Sequence, residues 1–237
     1  MSEHTQEHKN MEIHKIATIR TDFPTKFGIP RQSCLAEELL GEIVFEPEYR
    51  QPEAFRGIEE YSHLWLLWEF SEAKREHWSA TVKPPRLGGK QRMGVFATRS
   101  PFRPNPIGLS CVRLVALRMD ETEGPVLVVA GVDLMNGPPI YDVKPYLPYV
   151  DAHPDASGGF GDRVKAHELQ VIFSQELLER LPEEKRAGAL AFLRQDPRPA
   201  IHKDETRVYK IAYAGYDIHF TVSNTVLTVC DVLSLTK

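Results

Sequence analysis

The sequence contains few cysteines and no long apolar run. Its three cysteines, Cys34, Cys111 and Cys230, lie far apart among 237 residues, and no Cys-x-x-Cys pair is present. This usage is typical of a reduced cytoplasmic protein without a disulfide framework or a cysteine zinc site. No apolar run reaches the roughly 18 residues that a membrane-spanning helix requires. We therefore expect a cytoplasmic protein with no membrane segment and no bound metal.

Motifs of the common nucleotide-binding folds are missing as well. No Gly-x-Gly-x-x-Gly opens a helix after a strand pattern, and no Walker loop is present. A Rossmann-type cofactor site is therefore not expected. Residues 1–10 are polar and rich in histidine, without an apolar signal region. They predict a disordered tail over residues 1–11, because nothing periodic would hold them against a core.

Acidic residues are absent from one long segment. Residues 77–119 contain no Asp or Glu but eight Lys and Arg, which leaves a formal charge of −12 for the rest of a chain whose net charge is −4. A chain polarised in this way is predicted to present a basic face to an anionic partner. A few well-placed cations suffice for a local footprint on RNA, so the mild overall acidity does not exclude one.

A stiff loop lies inside this basic segment. It holds three prolines within six residues, Pro101, Pro104 and Pro106. Arg99 and Arg103 lie at its two shoulders and Asn105 lies within it. Proline fixes φ, and a rigid loop that carries guanidinium groups is suited to gripping a carboxylate or a phosphate. The alternative from composition is a surface turn with solvated arginines.

Three weaker constellations accompany the loop. Asp142 and Lys144 share one face of a predicted strand and, with Tyr146, could bind an amino acid moiety or ribose hydroxyls; the alternative is a surface ion pair on a strand edge. A single histidine, His63, is more often a hydrogen-bonded structural residue than a catalytic base. Residues 196–199 read Asp-Pro-Arg-Pro and follow a predicted helix. They form either a turn that ends the helix or a loop that faces RNA, and spacing does not separate the two.

Strand patterns dominate the first two-thirds of the chain. The predicted strands there cover residues 13–19, 61–70, 93–98, 107–117 and 126–134. Short strands separated by Gly and Pro turns, without intervening helices, indicate an antiparallel barrel or sandwich. A Gly- and Pro-rich stretch near residue 155 predicts a linker before a small α+β domain. Its predicted elements are a strand at 168–173, helices at 174–180 and 183–194, and strands at 207–213, 216–222 and 226–232.

The long motif at residues 93–108 resembles the TsaA-like family. The segments 30–32, 84–89, 142–146 and 196–200 share this resemblance, which covers nearly the whole chain. It implies a mainly β fold, with an N-terminal antiparallel β-barrel and a small C-terminal α+β domain. The domain limits that it implies are a barrel at 12–152, a linker at 153–165 and a C-terminal domain at 166–237.

The resemblance also implies a function. Members of the family with both domains are tRNA methyltransferases that bind S-adenosylmethionine in the barrel and act as homodimers. They transfer a methyl group to N6 of threonylcarbamoyladenosine at position 37 of tRNA. Predicted strand edges that need covering favour the dimer. The alternative is a non-catalytic module that binds S-adenosylmethionine or another nucleotide and acts as a regulator.

Site residues are carried over by position within the motifs. Cofactor contacts fall on Pro30, Arg31, Gln32, His63, Leu64, Arg92, Asp142, Val143, Lys144 and Pro145. RNA contacts are expected at Arg99, Arg103, Asn105, Tyr146 and Arg198. Ile201 stands where similar sequences usually have an aromatic residue, so a stacking contact there would be lost. The proton from N6 needs an acceptor; Asp133, Asp142 and His63 remain open for this role.

Overall fold

Six strands close into an antiparallel barrel in the computed structural model, which describes residues 11–73, 77–84, 87, 91–163, 168–199 and 204–235. Residues 17–145 contain these six strands and two shorter ones. In chain order the eight are β1 (Ala17–Thr21), β2 (Leu40–Phe45), β3 (His63–Glu69), β4 (Thr81–Val82), β5 (Met93–Gly94), β6 (Ile107–Asp120), β7 (Gly124–Ala130) and β8 (Pro139–Pro145). Around the barrel the order is β1-β2-β7-β6-β3-β8, and all neighbours are antiparallel. Strands β4 and β5 pair separately as a two-stranded ribbon.

The alternation of side chains along β3 explains how the barrel buries its core. Leu64, Leu66 and Trp68 are buried, whereas Trp65 and Leu67 between them are partly exposed. Successive side chains of a strand point to opposite faces, so the apolar set with period two faces inward. The prediction of a mainly β fold with an antiparallel barrel is confirmed.

A second, smaller sheet follows the barrel. Its strands are β9 (Gln170–Ile172), β10 (Tyr209–Tyr213), β11 (Tyr216–Ser223) and β12 (Val226–Ser234), in the order β10-β11-β12-β9. The helices are α1 (Pro148–Asp151), α2 (Phe160–Arg163), α3 (Gln175–Leu178) and α4 (Glu183–Arg194). None of the described helices has the length and apolar character needed to cross a bilayer. The small α+β arrangement predicted for this part is confirmed.

An aromatic cluster joins the second sheet and α4 to the barrel. Phe23, just after β1, lies 5.3 Å from both Phe192 and Tyr213, measured between ring centroids, and those two rings are 5.1 Å apart. Beside the cluster, Lys185 Nζ and Asp22 Oδ2 form an ion pair at 2.7 Å. Since all three rings are almost fully buried, the barrel and the C-terminal sheet share one apolar core.

Local sequence patterns located several elements accurately. Helix α4 has the predicted bounds, and Ser174 caps α3 by accepting a hydrogen bond from the amide of Leu177 at 3.4 Å. The predicted hairpin turn at Ala214 and Gly215 has positive φ at both residues, 50° and 81°. Such a turn matches the twist of the two strands that it joins.

Three predicted strands have limits that differ by four residues at one end, and strand β2 was not predicted. The first strand lies at Ala17–Thr21 rather than 13–19. The run 93–98 is a strand only over Met93–Gly94 and continues as a 3-10 turn, Val95–Ala97, because the buried Val95 anchors it. The run 126–134 ends at Ala130, since Gly131 has a φ of 76°. Residues 1–10 of the tail predicted over residues 1–11 lie outside the described residues, as do Arg86, Lys90 and Ile201.

Candidate functional site

The end of β7 and the turn before β2 are fixed to each other. Gly131 follows β7, and a Cβ at this position would lie 3.1 Å from the Cα of Cys34. The amide of Cys34 donates to the carbonyl of Gly131 at 2.9 Å. Glycine alone combines a positive φ with so close an approach. Gly131 therefore brings residues 30–34 alongside the segment 131–138 that leads to β8.

Asp133 lies on this segment and receives a chain of hydrogen bonds from the barrel. The hydroxyl of Ser110 donates to Asp133 Oδ1 at 2.6 Å, and Trp68 Nε1 donates to Ser110 Oγ at 2.9 Å. A Cβ at Gly108 would overlap the Trp68 ring, so glycine allows the indole to lie against β6. Because Ser110 is only 1% exposed, this relay fixes the orientation of the Asp133 carboxylate.

The environment of Asp133 shifts its ionisation. Burial raises the pKa of Asp133 from an ordinary value near 3.8 to about 6. Hydrogen bonds from Ser110 and from the backbone amides of Ser33 and Asp133, together with the charge of Arg99, lower the pKa but do not offset burial. A carboxylate with this pKa is ionised at neutral pH and still accepts a proton readily, as a general base must.

The predicted cofactor turn contacts two other predicted site segments. Pro30 is buried, whereas Arg31 and Gln32 are exposed. The Arg31 guanidinium donates to the carbonyl of Arg198 at 3.2 Å, and Arg99 donates to Gln32 Oε1. The structure thus brings the turn at residues 30–32, the proline-rich loop and the loop after α4 together next to Asp133.

Internal hydrogen bonds hold the proline-rich loop. Arg103 donates to the carbonyl of Thr98 at 3.0 Å, and the hydroxyl of Thr98 donates to the carbonyl of Val95 at 2.9 Å. The side chain of Asn105 is exposed, and its carbonyl accepts from the amide of Ile107 at 2.7 Å. Arg103 therefore stabilises the loop itself. Neither Arg99 nor Arg103 forms an ion pair with a carboxylate of the described residues.

Arg92 contacts the ribbon rather than the turn at residues 30–32. Its Nε donates to Thr81 Oγ1 at 2.6 Å, and its guanidinium also donates to the Thr81 carbonyl at 3.3 Å. Both acceptors are neutral, and no carboxylate of the described residues forms an ion pair with this guanidinium. This places Arg92 at the edge of the predicted site, where β4 and β5 pair.

The outer face of β8 carries the second predicted cofactor segment. Asp142 Oδ2 and Lys144 Nζ form an ion pair at 2.8 Å, and this contact raises the pKa of Lys144. The amide of Val143 donates to Asp142 Oδ1 at 2.9 Å. The strand pairs with β3, which places Asp142 opposite Leu67 and Pro145 opposite Leu64. The ion-pair alternative therefore describes the resting contacts of Asp142 and Lys144.

His63 and Tyr146 lie at the far end of the same strand pair. Their ring centroids are 6.1 Å apart, and Trp65 lies 5.7 Å from Tyr146. His63 Nδ1 and the hydroxyl of Ser62 are hydrogen-bonded at 2.9 Å. The side chain of Leu64 is fully buried inside the barrel, so only its backbone lies where a ligand would meet β3.

Arg198 is held by its own loop. Its guanidinium makes two hydrogen bonds to the carboxylate of Asp196, at 2.8 and 2.9 Å, and these raise the pKa of Arg198. Asp196 has a φ of 49° and follows directly after the C-cap of α4. Residues 196–199 therefore end the helix, and they also meet the turn at residues 30–32 through the carbonyl of Arg198.

Sequence patterns did not identify the residues that orient Asp133. Ser110 and Trp68 lie on β6 and β3, 23 and 65 positions away in the chain. The sequence feature that could have pointed to Ser110 is the Gly-x-Ser at residues 108–110, at the start of β6, where the small glycine leaves room for the Trp68 ring. Ser33 went unnoticed because a serine in a turn is unremarkable.

Comparison with known proteins agrees with this arrangement. The model of the tRNA-methyltransferase O N-terminal domain matches residues 18–152, and the model of the TrmO C-terminal domain matches residues 166–235. The chain belongs to the tRNA-methyltransferase O family. These matches contain the barrel strands except for Ala17, the first residue of β1, and the whole of the second sheet.

Individual relatives span almost the full length of the chain. A protein of Escherichia coli named tRNA (adenine(37)-N6)-methyltransferase is 39% identical over 223 residues, 91% of this chain and 94% of the relative. A Pseudomonas aeruginosa protein, named as a putative S-adenosylmethionine-dependent methyltransferase, is also 39% identical over 223 residues, 88% of this chain and 91% of its own. A crystal structure of TrmO from Pseudomonas aeruginosa superposes with a TM-score of 0.77 at 34% identity, covering 97% of this chain and 99% of that one.

Proposed function

We propose that this protein is an S-adenosylmethionine-dependent tRNA methyltransferase that modifies N6 of threonylcarbamoyladenosine at position 37. Family membership and the names of the two relatives support the reaction class, the adenine position and the cofactor. The observation that carries the chemistry is Asp133, a carboxylate with a pKa of about 6 held beside Arg99 and Gln32. We also propose that residues 12–152 form the barrel domain, 153–165 a linker and 166–237 the C-terminal domain.

The residues around Asp133 fit the cofactor. S-adenosylmethionine carries a carboxylate, an ammonium group and ribose hydroxyls. Arg31 offers a guanidinium for the carboxylate, and the exposed Gln32 amide both donates and accepts. On β8, the side chains of Asp142 and Lys144 provide an acceptor and a donor for the ribose hydroxyls. The backbone of residues 142–145 would line the same side of the cofactor. Arg92 and His63 would contact the cofactor from the edges of this site.

The reaction requires a proton acceptor because the target nitrogen is a weak nucleophile. N6 of threonylcarbamoyladenosine bonds both to the purine and to a carbonyl, so its lone pair is delocalised and it bears one hydrogen. S-adenosylmethionine supplies the methyl group from its sulfonium. Asp133 accepts the proton that N6 loses, and the donors Ser110 and Ser33 hold its carboxylate in place. Asp142 is engaged with Lys144, so Asp133 is the better base.

Rigid positioning supplies the other part of the rate enhancement. The proline-rich loop is braced by Arg103, and Arg99 ties it to Gln32. A scaffold of this kind holds the reacting nitrogen and methyl carbon in line at about 3–3.5 Å, which removes much of the entropic barrier. Arg99, Arg103, Asn105, Tyr146 and Arg198 surround the proposed approach of the tRNA.

The proposal includes a cytoplasmic homodimer. All three cysteines are free thiols, as expected for a reduced compartment. The predicted edge-strand argument for a dimer was wrong for the barrel, because its six strands close on themselves. Support comes instead from the resemblance and from exposed apolar side chains on and beside the β6-β3-β8 face, namely Leu109, Tyr149 and Val150. Sedimentation at micromolar concentration tests it: a fully active monomer would exclude the dimer.

Transfer of labelled methyl from S-adenosylmethionine to tRNA tests the function. Two tRNA pools are compared, one with threonylcarbamoyladenosine and one from cells that cannot make it. We expect transfer to the first pool alone.

Arg31→Ala should weaken cofactor binding in calorimetry by about 1–3 kcal/mol, the loss of one charged hydrogen bond. The matched control is Arg118→Ala, since Arg118 is paired with Glu42 on the barrel wall. Tight cofactor binding without transfer to either pool would favour the regulatory module.

A further inference from the structure

Two aromatic side chains stand exposed beside the proposed site. Trp78 is 54% exposed and Phe96 is 74% exposed. Their ring centroids are 6.2 Å apart and the ring planes are inclined by 33°. Large apolar side chains that are this exposed and adjacent form a patch, and such patches on a protein surface mark interaction sites.

The backbone holds the two rings in fixed relation. The amide of Val95 donates to the carbonyl of Ala80 at 2.9 Å, which joins the 3-10 turn of Phe96 to the segment that follows Trp78. Val95 itself is buried, so it anchors the turn and leaves its neighbour Phe96 facing solvent. The ribbon of β4 and β5 continues this connection through the pairs of Thr81 with Gly94 and Val82 with Met93.

The arginines near the rings form no ion pair with a carboxylate of the described residues. Arg92, Arg99 and Arg103 all donate to neutral oxygens: the Thr81 hydroxyl and carbonyl, the Gln32 amide and the Thr98 carbonyl. By contrast, Arg113 and Arg118 farther along the segment meet Glu37 and Glu42. Within residues 77–119, the described arginines without an ion pair are thus Arg92, Arg99 and Arg103, which lie on the ribbon and the loop next to the aromatic pair, where a phosphate backbone would be attracted.

We propose that Trp78 and Phe96 form a stacking platform for unpaired bases of the tRNA anticodon loop that flank the target adenosine. This inference rests on the proposed function and names a recognition element for it. Bases in single-stranded loops are recognised by stacking on aromatic side chains, while cations nearby contact the backbone. A two-fold contact with a second copy of the chain would set the same cations against each other, so RNA is the occupant that the charges favour.

The variants follow from the exposure of the rings. Trp78→Ala with Phe96→Ala removes both rings, and Trp78→Phe with Phe96→Tyr keeps a stacking surface. Met119→Ala, at the opposite end of β6 and 59% exposed, is the control. Affinity is measured with full-length tRNA carrying threonylcarbamoyladenosine, at several salt concentrations, alongside the affinity for S-adenosylmethionine and the melting temperature.

We expect the alanine pair to weaken tRNA binding by about 5- to 150-fold, the effect of losing one stacked base. The aromatic pair and the Met119 control should stay within about threefold of wild type. Since the rings contact no phosphate, the slope of affinity against salt should be unchanged in the alanine pair. The tRNA should also quench the emission of Trp78, the one highly exposed tryptophan of three, and Trp78→Phe should abolish this quenching.

Four results would overturn the platform. Unchanged tRNA affinity would show that no base stacks there. A loss of S-adenosylmethionine affinity would assign the rings to the adenine of the cofactor. A change of oligomeric state would assign them to an interface between copies, and a shallower salt slope would assign the lost affinity to phosphate contacts. Sedimentation reads the oligomeric state and binding measurements read the other three, so all four remain distinguishable from a failure of methyl transfer by the wild-type protein.

Discussion

Asp133, the proposed proton acceptor, accepts hydrogen bonds from residues that lie far from it in the chain. In the sequence it is one of three possible proton acceptors, together with Asp142 and His63. The choice depends on burial and on donors from other parts of the chain: the hydroxyl of Ser110 on β6 and the backbone amide of Ser33 in the turn before β2. No local pattern encodes those neighbours, because strand pairing brings together positions far apart in the chain.

Asp133→Asn tests the role of this carboxylate in catalysis. Since an amide cannot accept the proton from N6, kcat should fall by about 10²- to 10⁴-fold, the usual contribution of a general base, with cofactor affinity nearly unchanged. In the wild-type protein, kcat should drop as the pH falls through about 6. Single-turnover rates between about pH 5 and pH 8 measure both effects. Asp142→Asn is the control. If Asp142→Asn loses the pH dependence of kcat while Asp133→Asn keeps it, Asp142 rather than Asp133 is the proton acceptor.

The same carboxylate should make stability depend on pH. Its pKa is higher in the folded protein than in the unfolded chain, so between about pH 4 and pH 6 the folded state retains a proton that the unfolded state releases. Stability from this group is therefore present at low pH and lost as the pH rises through about 6. Relative to Asp133→Asn, the wild-type free energy of unfolding should fall by about 1–3 kcal/mol from pH 4 to pH 7. Urea denaturation of both proteins measures it, and parallel pH profiles would show that burial does not shift this group.

At the scale of elements, local signals in the sequence predicted some pieces of the fold and not others. Helix α4 and the hairpin at Ala214 and Gly215 depend on local signals, and the sequence located both. The 3-10 turn at Val95–Ala97 was predicted as a strand, because apolar composition does not show that Val95 is buried while Phe96 is exposed. The pairing of Trp78 with Phe96 depends on this turn and could not be predicted either.

The packing of β6 against β3 offers a test at this scale. A Cβ at Gly108 would overlap the Trp68 ring, so Gly108→Ala should displace the indole and break its hydrogen bond to Ser110. We expect a loss of about 1–3 kcal/mol in the free energy of unfolding, typical of an overpacked core, together with a lower kcat. Gly94→Ala is the matched control, since no atom lies within 4 Å of a Cβ there. Equal stability of the two variants in chemical denaturation would contradict the packing described for Trp68.

At the scale of the whole molecule, the barrel and the C-terminal sheet depend on each other. Phe192 on α4 packs against Phe23 of the barrel and Tyr213 of the second sheet. Phe192→Ala should therefore cost about 3–5 kcal/mol, the usual range for a buried phenylalanine. Calorimetry should show one transition that moves to lower temperature as a whole. Two separated transitions in the wild-type protein would show that the shared core does not couple the two parts.

The fold also decides where the positive charge of the molecule is exposed. The sequence predicted a basic segment at residues 77–119. In the structure, the arginines of this segment that form no ion pair lie near the turn at residues 30–32 and the ribbon. Arg113 and Arg118 instead form ion pairs on the barrel wall. Counting charges along the chain could not make this distinction, because the partners Glu37 and Glu42 lie in another part of the sequence. The fold thereby concentrates a positive surface at one end of the proposed site.

Locating the transferred methyl group tests the central proposal most directly. Purified protein is incubated with S-adenosylmethionine and tRNA that carries threonylcarbamoyladenosine, the tRNA is digested to nucleosides, and these are fragmented in a mass spectrometer. We expect that this one nucleoside gains a methyl group in place of a hydrogen, that fragmentation places it on N6, and that Asp133→Asn largely abolishes the product. A methyl group on the ribose, on another nucleoside or on the threonyl carboxylate, or no product despite bound cofactor, would contradict it.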